Sequence, residues 1–417
     1  MLLEKKDLSF KDFEKIKGSD IYSRAFMHSE FLNVMNQNQH LNYRLEIESA
    51  CGPVVYLKGN NYIKNGEYVN LVSNDYLGLT QHPKVIDATI ESIKKYGTGS
   101  GASPLIGGMY NYHTELEMEI NKFFNKKISS SIIYSTGYTA NSSTLSCLLT
   151  EDDIAIMDMN VHASVFEGVK CTTKKRFKHN DIDDLERILK NTRNNYETKL
   201  VVVDGVYSQD GDLSKLREIV EVVKKYGAMI MVDDAHGIGI IGETGRGVLE
   251  LFNLIDEVDI ITGTFSKSLG NIGGFVLASP NIISYLHYQS RQYAFSVSPT
   301  PAISGVTQAI KLISEEPELR NKLWFNINYF KAGLNSLNFN IGDTGSAIIP
   351  VKISDVKKTS EMSKMLLGLG IYTNAIMYPA VSRKDSRIRM SVMASHSKEH
   401  LDKALNAFEL IKKRLLI

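Results

Sequence analysis

A lysine between two apolar runs is the residue of this chain that most clearly predicts chemistry. Lys267 lies in the Thr-Phe-Ser-Lys-Ser segment 264–268, between the mostly apolar run 258–261 and the apolar run 275–277. Hydroxyl side chains flank it and glycines follow, a pattern typical of a tight loop at a strand end. Because burying a lysine is costly unless its amine is used, the position is either a surface turn or a reactive amine.

A second strand end favours the reactive amine. The apolar run 228–232 leads into Asp233 and His236, and the aspartate lies 34 residues before Lys267 (267 − 233). A lysine amine can bond to the aldehyde of pyridoxal 5′-phosphate, and an aspartate can keep its ring nitrogen protonated so that the ring accepts electrons. An imidazole can hydrogen-bond its phenolic oxygen. The ordered pair of motifs therefore predicts a pyridoxal phosphate site.

Two groups of small residues are candidates to hold the cofactor phosphate. The hydroxyls of Thr264 and Ser266 lie next to the lysine. Upstream, the strand-like run 131–134 turns through Ser-Thr-Gly into a helix start, where free backbone N–H groups and the positive end of the helix dipole meet. We assign the phosphate to the amides of Gly137 and Tyr138. Taken alone, the same turn would also suit an ordinary capped helix.

The order of elements predicts the fold class. Strand and helix patterns alternate from about residue 131 to 280, which indicates an α/β fold with a mostly parallel sheet and helices on both faces. Ligands of such sheets bind at the carboxyl ends of the strands. After about residue 300, long helices precede short strands. We expect an N-terminal arm (1–65), a large domain (66–300) and a small C-terminal α+β domain (301–417).

Composition excludes several partners. The 417 residues carry 48 Lys and Arg against 47 Asp and Glu, so the net charge of +1 gives no reason to expect nucleic acid. The three cysteines, Cys51, Cys147 and Cys171, are widely spaced and form no metal-binding pattern. Residues 1–10 lack the apolar core of a signal peptide, and no run is long enough to cross a bilayer. These features predict a cytoplasmic protein with no metal site and no transmembrane segment.

The motifs around Lys267, Asp233 and the phosphate turn resemble those of the α-oxoamine synthases. This pyridoxal-phosphate family condenses an acyl-CoA with an amino acid and releases carbon dioxide. The resemblance runs from about residue 45 to the end of the chain. It implies the type I PLP-dependent transferase fold, with a large domain and a smaller C-terminal α+β domain. It also implies a homodimer with shared active sites.

The resemblance implies roles for residues whose type alone says little. In the family a histidine stacks on the cofactor ring, and His162 matches it. A serine at the position of Ser208 contacts the phenolic oxygen. Ser296 matches a residue that reaches the cofactor phosphate of the neighbouring subunit. Without the resemblance, His162 and Ser208 would be interpreted as helix caps or surface residues. We take Lys267, His162 and Asp233 as catalytic.

The substrate end is also inferred from the resemblance. Asn74 lies in a Ser-Asn-Asp-Tyr-Leu-Gly-Leu segment that helps to bind the amino-acid carboxylate in the family. The segment 386–391 alternates, so Arg387 and Arg389 share one face of a strand, and guanidinium groups bind carboxylates in a bidentate manner. We choose Arg389 for the substrate and expect a surface salt bridge for Arg387. Pro104 replaces a basic residue that several members carry near the acyl-CoA entrance, so no acyl-end contact is transferred.

The implied reaction is a decarboxylative condensation that yields an amino ketone, with Lys267 removing the α-proton of the amino acid. Segments 265–268, 177–181 and 135–138 are most similar to serine palmitoyltransferases of sphingolipid biosynthesis. Segments 233–237 and 73–79 are more similar to 8-amino-7-oxononanoate synthases, which use alanine. We favour serine because His162 could pair with its hydroxyl. A fold-type I aminotransferase, which forms no carbon–carbon bond, is the alternative from a different class.

Overall fold

The computed structural model describes residues 9–40 and 42–415. Its α-helices are α1 (Ile21–Gln37), α2 (Pro83–Tyr96), α3 (Asn111–Phe123), α4 (Gly137–Leu148), α5 (Ala163–Gly168), α6 (Ile182–Asn191), α7 (Leu216–Lys225), α8 (Val248–Leu251), α9 (Pro280–Gln289), α10 (Arg291–Ala294), α11 (Ser304–Glu315), α12 (Glu318–Ser336), α13 (Val356–Gly368) and α14 (Lys398–Leu415). Its strands are β1 (Val54–Leu57), β2 (Gly66–Asn70), β3 (Ser131–Tyr134), β4 (Ile154–Asp158), β5 (Thr173–Phe177), β6 (Lys199–Asp204), β7 (Met229–Asp233), β8 (Ile260–Thr264), β9 (Gly274–Ala278), β10 (Ile348–Lys352), β11 (Ile371–Tyr372), β12 (Asn374–Ile376) and β13 (Arg387–Ser391).

Within these residues, the large sheet has the strand order β3-β9-β8-β7-β6-β4-β5. Strands β8, β7, β6, β4 and β5 are parallel to one another, and β9 is antiparallel to both of its neighbours. The predicted mostly parallel sheet is therefore confirmed. Because β9 is antiparallel to both β3 and β8, β3 and β8 run in the same direction. The carboxyl end of β3 therefore lies at the same edge of the sheet as the carboxyl ends of the parallel strands.

The central strands of the large sheet are buried on both faces, whereas four of the five residues of the edge strand β5 are exposed. In β6, Val201 and Val203 belong to one apolar core, whereas Leu200 and Val202 belong to another. Successive side chains of a strand point to opposite faces, so a strand covered by helices on both sides must be apolar at every position. This explains why the strands before the catalytic motifs are unbroken apolar runs. It also places the first polar residue of each run at the end of its strand.

Two smaller sheets complete the fold. Strands β10, β13 and β12 form an antiparallel sheet, and α14 packs against α12 and α13 beside it. Strand β2 pairs with β1 on one side and with β11 on the other, which joins the N-terminal part of the chain to the C-terminal part. The predicted boundary between residues 65 and 66 thus separates two paired strands. The division into arm, large domain and small domain stays a prediction.

The N-terminal part packs through aromatic side chains. The rings of Phe10 and Phe13 contact Phe31 of α1, with centroids 5.7 and 5.1 Å apart, and Phe10 also contacts Tyr43 at 5.9 Å. Most of the segment used for the signal-peptide prediction, residues 1–8, lies outside the described residues. Among the helices of residues 9–40 and 42–415, none combines the length and apolarity needed to cross a membrane.

Candidate active site

A cavity of about 220 Å³ opens at the carboxyl edge of the large sheet. Its lining includes the predicted cofactor and catalytic residues Gly137, Tyr138, His162, Ser208, Asp233, His236, Thr264, Ser266 and Lys267. They follow β3, β4, β6, β7 and β8, whose ends meet at this edge. The convergence expected from the strand order alone therefore places these side chains around one space.

Lys267 has an amine suited to proton transfer near neutral pH. Burial lowers the pKa of its amine to about 8, and the positive charge of Arg389 acts in the same direction. The carboxyl group of Asp233 opposes the shift. A substantial fraction of the amine is therefore neutral near physiological pH, and only the neutral amine can attack an aldehyde or accept a proton.

Asp233 is oriented by a hydrogen-bonded chain that crosses the sheet edge. Asn141 Nδ2 donates to Asp233 Oδ2 at 2.6 Å, and Thr262 Oγ1 donates to Asn141 Oδ1 at 2.6 Å, which fixes the direction of the amide. The amide of Ala235 donates to Asp233 Oδ1 at 3.0 Å. Hydrogen bonds thus fix both oxygens of the carboxylate. A carboxylate held in this way suits a protonated ring nitrogen of the cofactor, which would donate to it.

A second carboxyl group lies next to Asp233 in the sheet. Asp204 ends β6 and is in register with Asp233 at the end of β7, and it also lines the cavity. Burial and the neighbouring charge of Asp233 hold the pKa of Asp204 well above its usual range. Two carboxyl groups that are buried side by side do not both ionise easily, so we take Asp204 as the protonated one.

The phosphate seat is formed where α4 begins. Thr136 caps the helix by accepting from the amide of Thr139 at 2.9 Å, and this leaves the first-turn amides of Gly137 and Tyr138 outside the helical pattern. A Cβ on Gly137 would lie 2.7 Å from the Cβ of Thr264, so only glycine lets the helix start so close to β8. The amide donors of α4 and the hydroxyl of Thr264 at the end of β8 therefore meet at one point.

The hydroxyls next to the lysine also face this point. Thr264 Oγ1 and Ser266 Oγ lie 2.8 Å apart and both line the cavity. Two amides, two hydroxyls and a helix N-terminus form a suitable donor set for a phosphate dianion. The residues present therefore fit pyridoxal phosphate at each of its polar groups, from the aldehyde next to Lys267 to the ring nitrogen next to Asp233.

His162 lines the cavity at the start of α5. Its Nδ1 lies 2.8 Å from Ser164 Oγ, and its ring contacts the Tyr138 ring edge-on at 6.0 Å. Loss of hydration and the charge of Lys267 lower the pKa of His162, against the opposing effect of Asp233. A neutral ring with one fixed nitrogen suits stacking on a cofactor. That role stays a prediction.

The predicted substrate residues lie next to the cavity without lining it. Arg389 is buried, and its Nε donates to the carbonyl oxygen of Ser208 at 2.7 Å. Its other nitrogens donate to Ser391 Oγ at 3.1 Å and to Asn74 Oδ1 at 3.1 Å. The structure thus brings Arg389 and Asn74 together beside the cavity wall. Their binding of a substrate carboxylate stays a prediction.

His236 is joined to this cluster by a tyrosine that the sequence reading did not single out. The hydroxyl of Tyr76 lies 2.7 Å from His236 Nδ1 and 3.2 Å from Asn74 Oδ1. Asn74 Oδ1 already accepts hydrogen bonds from Arg389 and Ser391. We therefore assign the Tyr76 hydroxyl as a donor to His236 Nδ1. The other ring nitrogen of His236 then carries the hydrogen. Burial and the charges of Lys267 and Arg389 hold the pKa of His236 well below its usual range.

Two further residues considered in the sequence analysis, Ser296 and Arg387, also do not line the cavity. Ser296 is exposed and does not line the cavity, so its contact with a neighbouring subunit stays a prediction. The prediction that Arg387 forms its salt bridge at the surface is wrong. Arg387 is buried and pairs with Asp210, and although burial raises the pKa of that carboxyl, the Arg387 and Lys352 charges lower it overall. The alternating pattern placed both arginines on one face, and that face proves to be buried.

The sequence reading missed Asn141, Asp204 and Tyr76. Signals were present for two of them, because Asp204 is the first polar residue after an apolar strand and Asn141 lies in the first turns of the helix that follows the phosphate turn. For Tyr76 no local signal exists, since its partner His236 lies 160 residues away. Only the packed structure shows that contact.

Comparison with known proteins assigns a class to this fold and site. Residues 66–408 match the model of the family described as aminotransferase class I and II. Serine palmitoyltransferase from S. paucimobilis has a similar structure, with a TM-score of 0.90 at 30% identity over 96% of this chain and 100% of that one. The fold and the site therefore define a pyridoxal phosphate-dependent enzyme with the type I transferase fold.

Curated relatives narrow the class. The chain is 41% identical over 373 residues to 8-amino-7-oxononanoate synthase from Petrotoga mobilis, which covers 88% of this chain and 93% of the relative. It is also 41% identical over 366 residues to serine palmitoyltransferase from Bacteroides thetaiotaomicron, which covers 87% of this chain and 91% of the relative. The chain belongs to the α-oxoamine synthase family and is a pyridoxal phosphate-dependent acyltransferase.

Proposed function

We propose that the protein condenses an acyl-CoA with a small α-amino acid, releases carbon dioxide and forms an amino ketone. The observation that carries the proposal is one cavity lined by Lys267 and Asp233, with the Arg389–Asn74 pair beside its wall. Bound pyridoxal phosphate would supply an electron sink for the pair of electrons that remains at the substrate α-carbon. The protein's own groups must bind, orient and deprotonate the amino acid.

Each residue has a defined part in that proposal. Arg389 and Asn74 hold the α-carboxylate, which orients the α-hydrogen towards Lys267. The neutral amine of Lys267 accepts the α-proton, and its pKa of about 8 lets it return a proton at the end of the cycle. Asp233 keeps the negative charge beside the cofactor ring, and the bond from Asn141 prevents the carboxylate from turning away.

Two substrate pairs are candidates. The names of the relatives favour alanine with a carboxylated acyl-CoA, because most of the similar curated relatives are called 8-amino-7-oxononanoate synthases. The structural likeness to serine palmitoyltransferase favours serine with a long-chain acyl-CoA. A serine hydroxyl would need polar partners in the cavity, and His162, Ser208 and Asp204 line it.

The amino-acid end is tested by titrating alanine, serine and glycine while the visible absorbance of the bound cofactor is followed. Each amino acid is then combined with acyl-CoAs, and release of the free CoA thiol is measured. The proposal requires CoA release that depends on both substrates. Transfer of the amino group to a keto acid without CoA release would instead establish an aminotransferase.

A homodimer is part of the proposal. The segment that carries Ser296 exposes Phe295 and Val297, which are 84% and 57% exposed, beside the glycine-rich loop 97–103. The amide of Ser298 donates to the carbonyl of Ala102 at 3.3 Å, so the two loops are in contact. Equilibrium sedimentation of the cofactor-loaded protein tests the dimer. A monomer with full CoA release would remove Ser296 from the site.

A further inference from the structure

A second cavity lies outside the cofactor site. It has a volume of about 260 Å³ and separates the N-terminal part of the chain from the small domain. Its wall is mostly apolar, with side chains from three parts of the chain: Phe10, Phe31, Met35, Tyr43, Val356 and Ile376. The segment 377–380 closes another side. We call this cavity the arm pocket. Nothing in the reaction of Lys267 and Asp233 uses it.

The arm pocket is connected with the cofactor cavity. Between them lies a cleft of about 750 Å³, which shares His162 and Ser208 with the cofactor cavity and shares Pro379 and Ala380 with the arm pocket. The three cavities therefore adjoin one another in a row, from the reacting groups past segment 379–381 to the apolar pocket. A molecule held at Lys267 would extend along this row of cavities.

The cleft has an apolar strip along this route. Met159, Phe166 and Val381 line it together with charged residues such as Asp210 and Arg387. Met159 is 47% exposed, although a side chain of this kind is normally covered. The two charged residues are already paired with each other. A hydrocarbon chain that follows Met159 and Phe166 would cover apolar surface and would leave that ion pair in place.

We propose that the arm pocket and the apolar strip bind the hydrocarbon chain of the acyl thioester. The inference rests on the proposed condensation, because that reaction brings an acyl group to Lys267. An acyl chain has no hydrogen-bonding groups, so it fits a pocket whose wall is aromatic and aliphatic. A short acyl group reaches only the cleft, whereas a long one reaches the arm pocket. Acyl-chain length is therefore the property that this pocket selects.

Met35 offers a test with a matched control. It lies on α1 and lines the arm pocket, whereas Val34, the preceding residue of the same helix, is 46% exposed. Met35→Trp narrows the pocket, and Val34→Trp adds the same side chain on the outside. The measurement is kcat/KM for CoA release with saturated acyl-CoAs of increasing length and one amino acid, in the cofactor-loaded protein.

For Met35→Trp we expect unchanged values for short chains and a fall of about fourfold for each methylene group that no longer enters the pocket. Val34→Trp should follow the unaltered protein at every length. Met35→Ala removes side-chain atoms instead and should shift the preference towards longer chains. Since a large side chain can overpack a wall, the opposite shift of Met35→Ala tests the pocket independently of any loss of folding in Met35→Trp.

The outcomes separate this inference from the proposed function. If the unaltered protein releases CoA but both Met35 variants keep its length profile, the arm pocket does not bind the acyl chain, and the condensation stands. If the unaltered protein releases no CoA from any acyl-CoA while amino acids still change the cofactor absorbance, the condensation fails and the inference fails with it.

Discussion

The cofactor half and the carboxylate half of the candidate site are built in different ways. The cofactor half stands on the ends of neighbouring strands, and its key contact, Asn141 to Asp233, is made at one edge of one sheet. In the carboxylate half, Asn74 Oδ1 accepts from Arg389 and Ser391. Both donors lie on β13, 315 and 317 residues further along the chain.

This difference predicts different responses to mutation. The strand ends are fixed by the backbone hydrogen bonds of a buried sheet, so a change in one side chain should leave the others in place. The carboxylate half is a polar network in which one amide oxygen serves several donors, so removing one member disturbs the rest. The variants below test this contrast in order of decreasing expected effect.

The largest effect is expected for Lys267→Ala. The variant loses the only amine that lines the cofactor cavity among the described residues, so turnover should fall by about 10³-fold or more, since the same amine bonds the cofactor and transfers the proton. Pyridoxal phosphate should still bind weakly through the amides of α4. CoA release and cofactor binding by equilibrium dialysis measure the two effects. The exposed Lys190 provides the control, and Lys190→Ala should behave as the unaltered protein.

Asp233→Asn should reduce turnover by about 10²-fold to 10³-fold while cofactor affinity changes little, because an amide cannot hold a ring nitrogen protonated. The matched control is Asp204→Asn at the neighbouring register position. Since burial raises the pKa of Asp204 so that it is protonated, an amide there changes no charge and should have a small effect. Equal losses in both variants would contradict the assignment of the charged carboxylate.

Arg389→Gln tests the link between the halves. It should raise the KM for the amino acid by about 30-fold or more, because a bidentate partner of the carboxylate is lost. It should also raise the pKa of Lys267, since the Arg389 charge lowers it. The neutral amine exists above its pKa, so the pH at which cofactor attachment is half-maximal, near 8 in the unaltered protein, should move upwards. Stopped-flow absorbance at several pH values measures this shift.

Arg387→Gln is the matched control for that variant, because Arg387 lies on the same face of β13 but pairs with Asp210. Removing it leaves the half-buried Asp210 carboxylate with Lys352 as its remaining ion-pair partner, so we expect a lower melting temperature and an unchanged KM for the amino acid. A KM increase in Arg387→Gln as large as that in Arg389→Gln would show that either arginine can bind the substrate.

The smallest effect is expected for Tyr76→Phe, which removes one hydroxyl from a fully buried ring. Losing its bond to His236 should cost about 1 kcal/mol, or roughly a fivefold fall in kcat. Because His236 would lose the donor that fixes its tautomer, the pH dependence of the cofactor absorbance should also change. Tyr112→Phe, at another fully buried tyrosine, should change neither quantity. An unaltered absorbance profile in Tyr76→Phe would show that His236 does not need this donor.

Much of the cofactor half followed from the sequence. Lys267, Asp233 and the turn at Gly137 each come directly after an apolar run, and parallel strands bring such positions to one edge of a sheet. The α/β fold and the pyridoxal phosphate dependence inferred from these motifs are confirmed. The physical reason is that a strand buried on both faces must be apolar throughout, so its end is visible in the sequence.

The carboxylate half and the small sheets needed the tertiary structure. Strand β2, Gly66–Asn70, pairs with β1 on one side and on the other with β11 from the C-terminal part of the chain. Strand β12 was not predicted, because three residues carry no periodic pattern. Nor could the sequence show that Arg387 is buried against Asp210, or that Tyr76 reaches His236.

Local patterns thus determined which residues end the strands of the large sheet and what chemistry those residue types allow. The tertiary structure decided which donor meets which acceptor across long stretches of chain, as in the contact of Arg389 with Asn74, 315 residues apart. Such partners are selected by packing of the whole chain and not by the periodicity of either segment. Only folding therefore decided how the substrate end of this site is assembled.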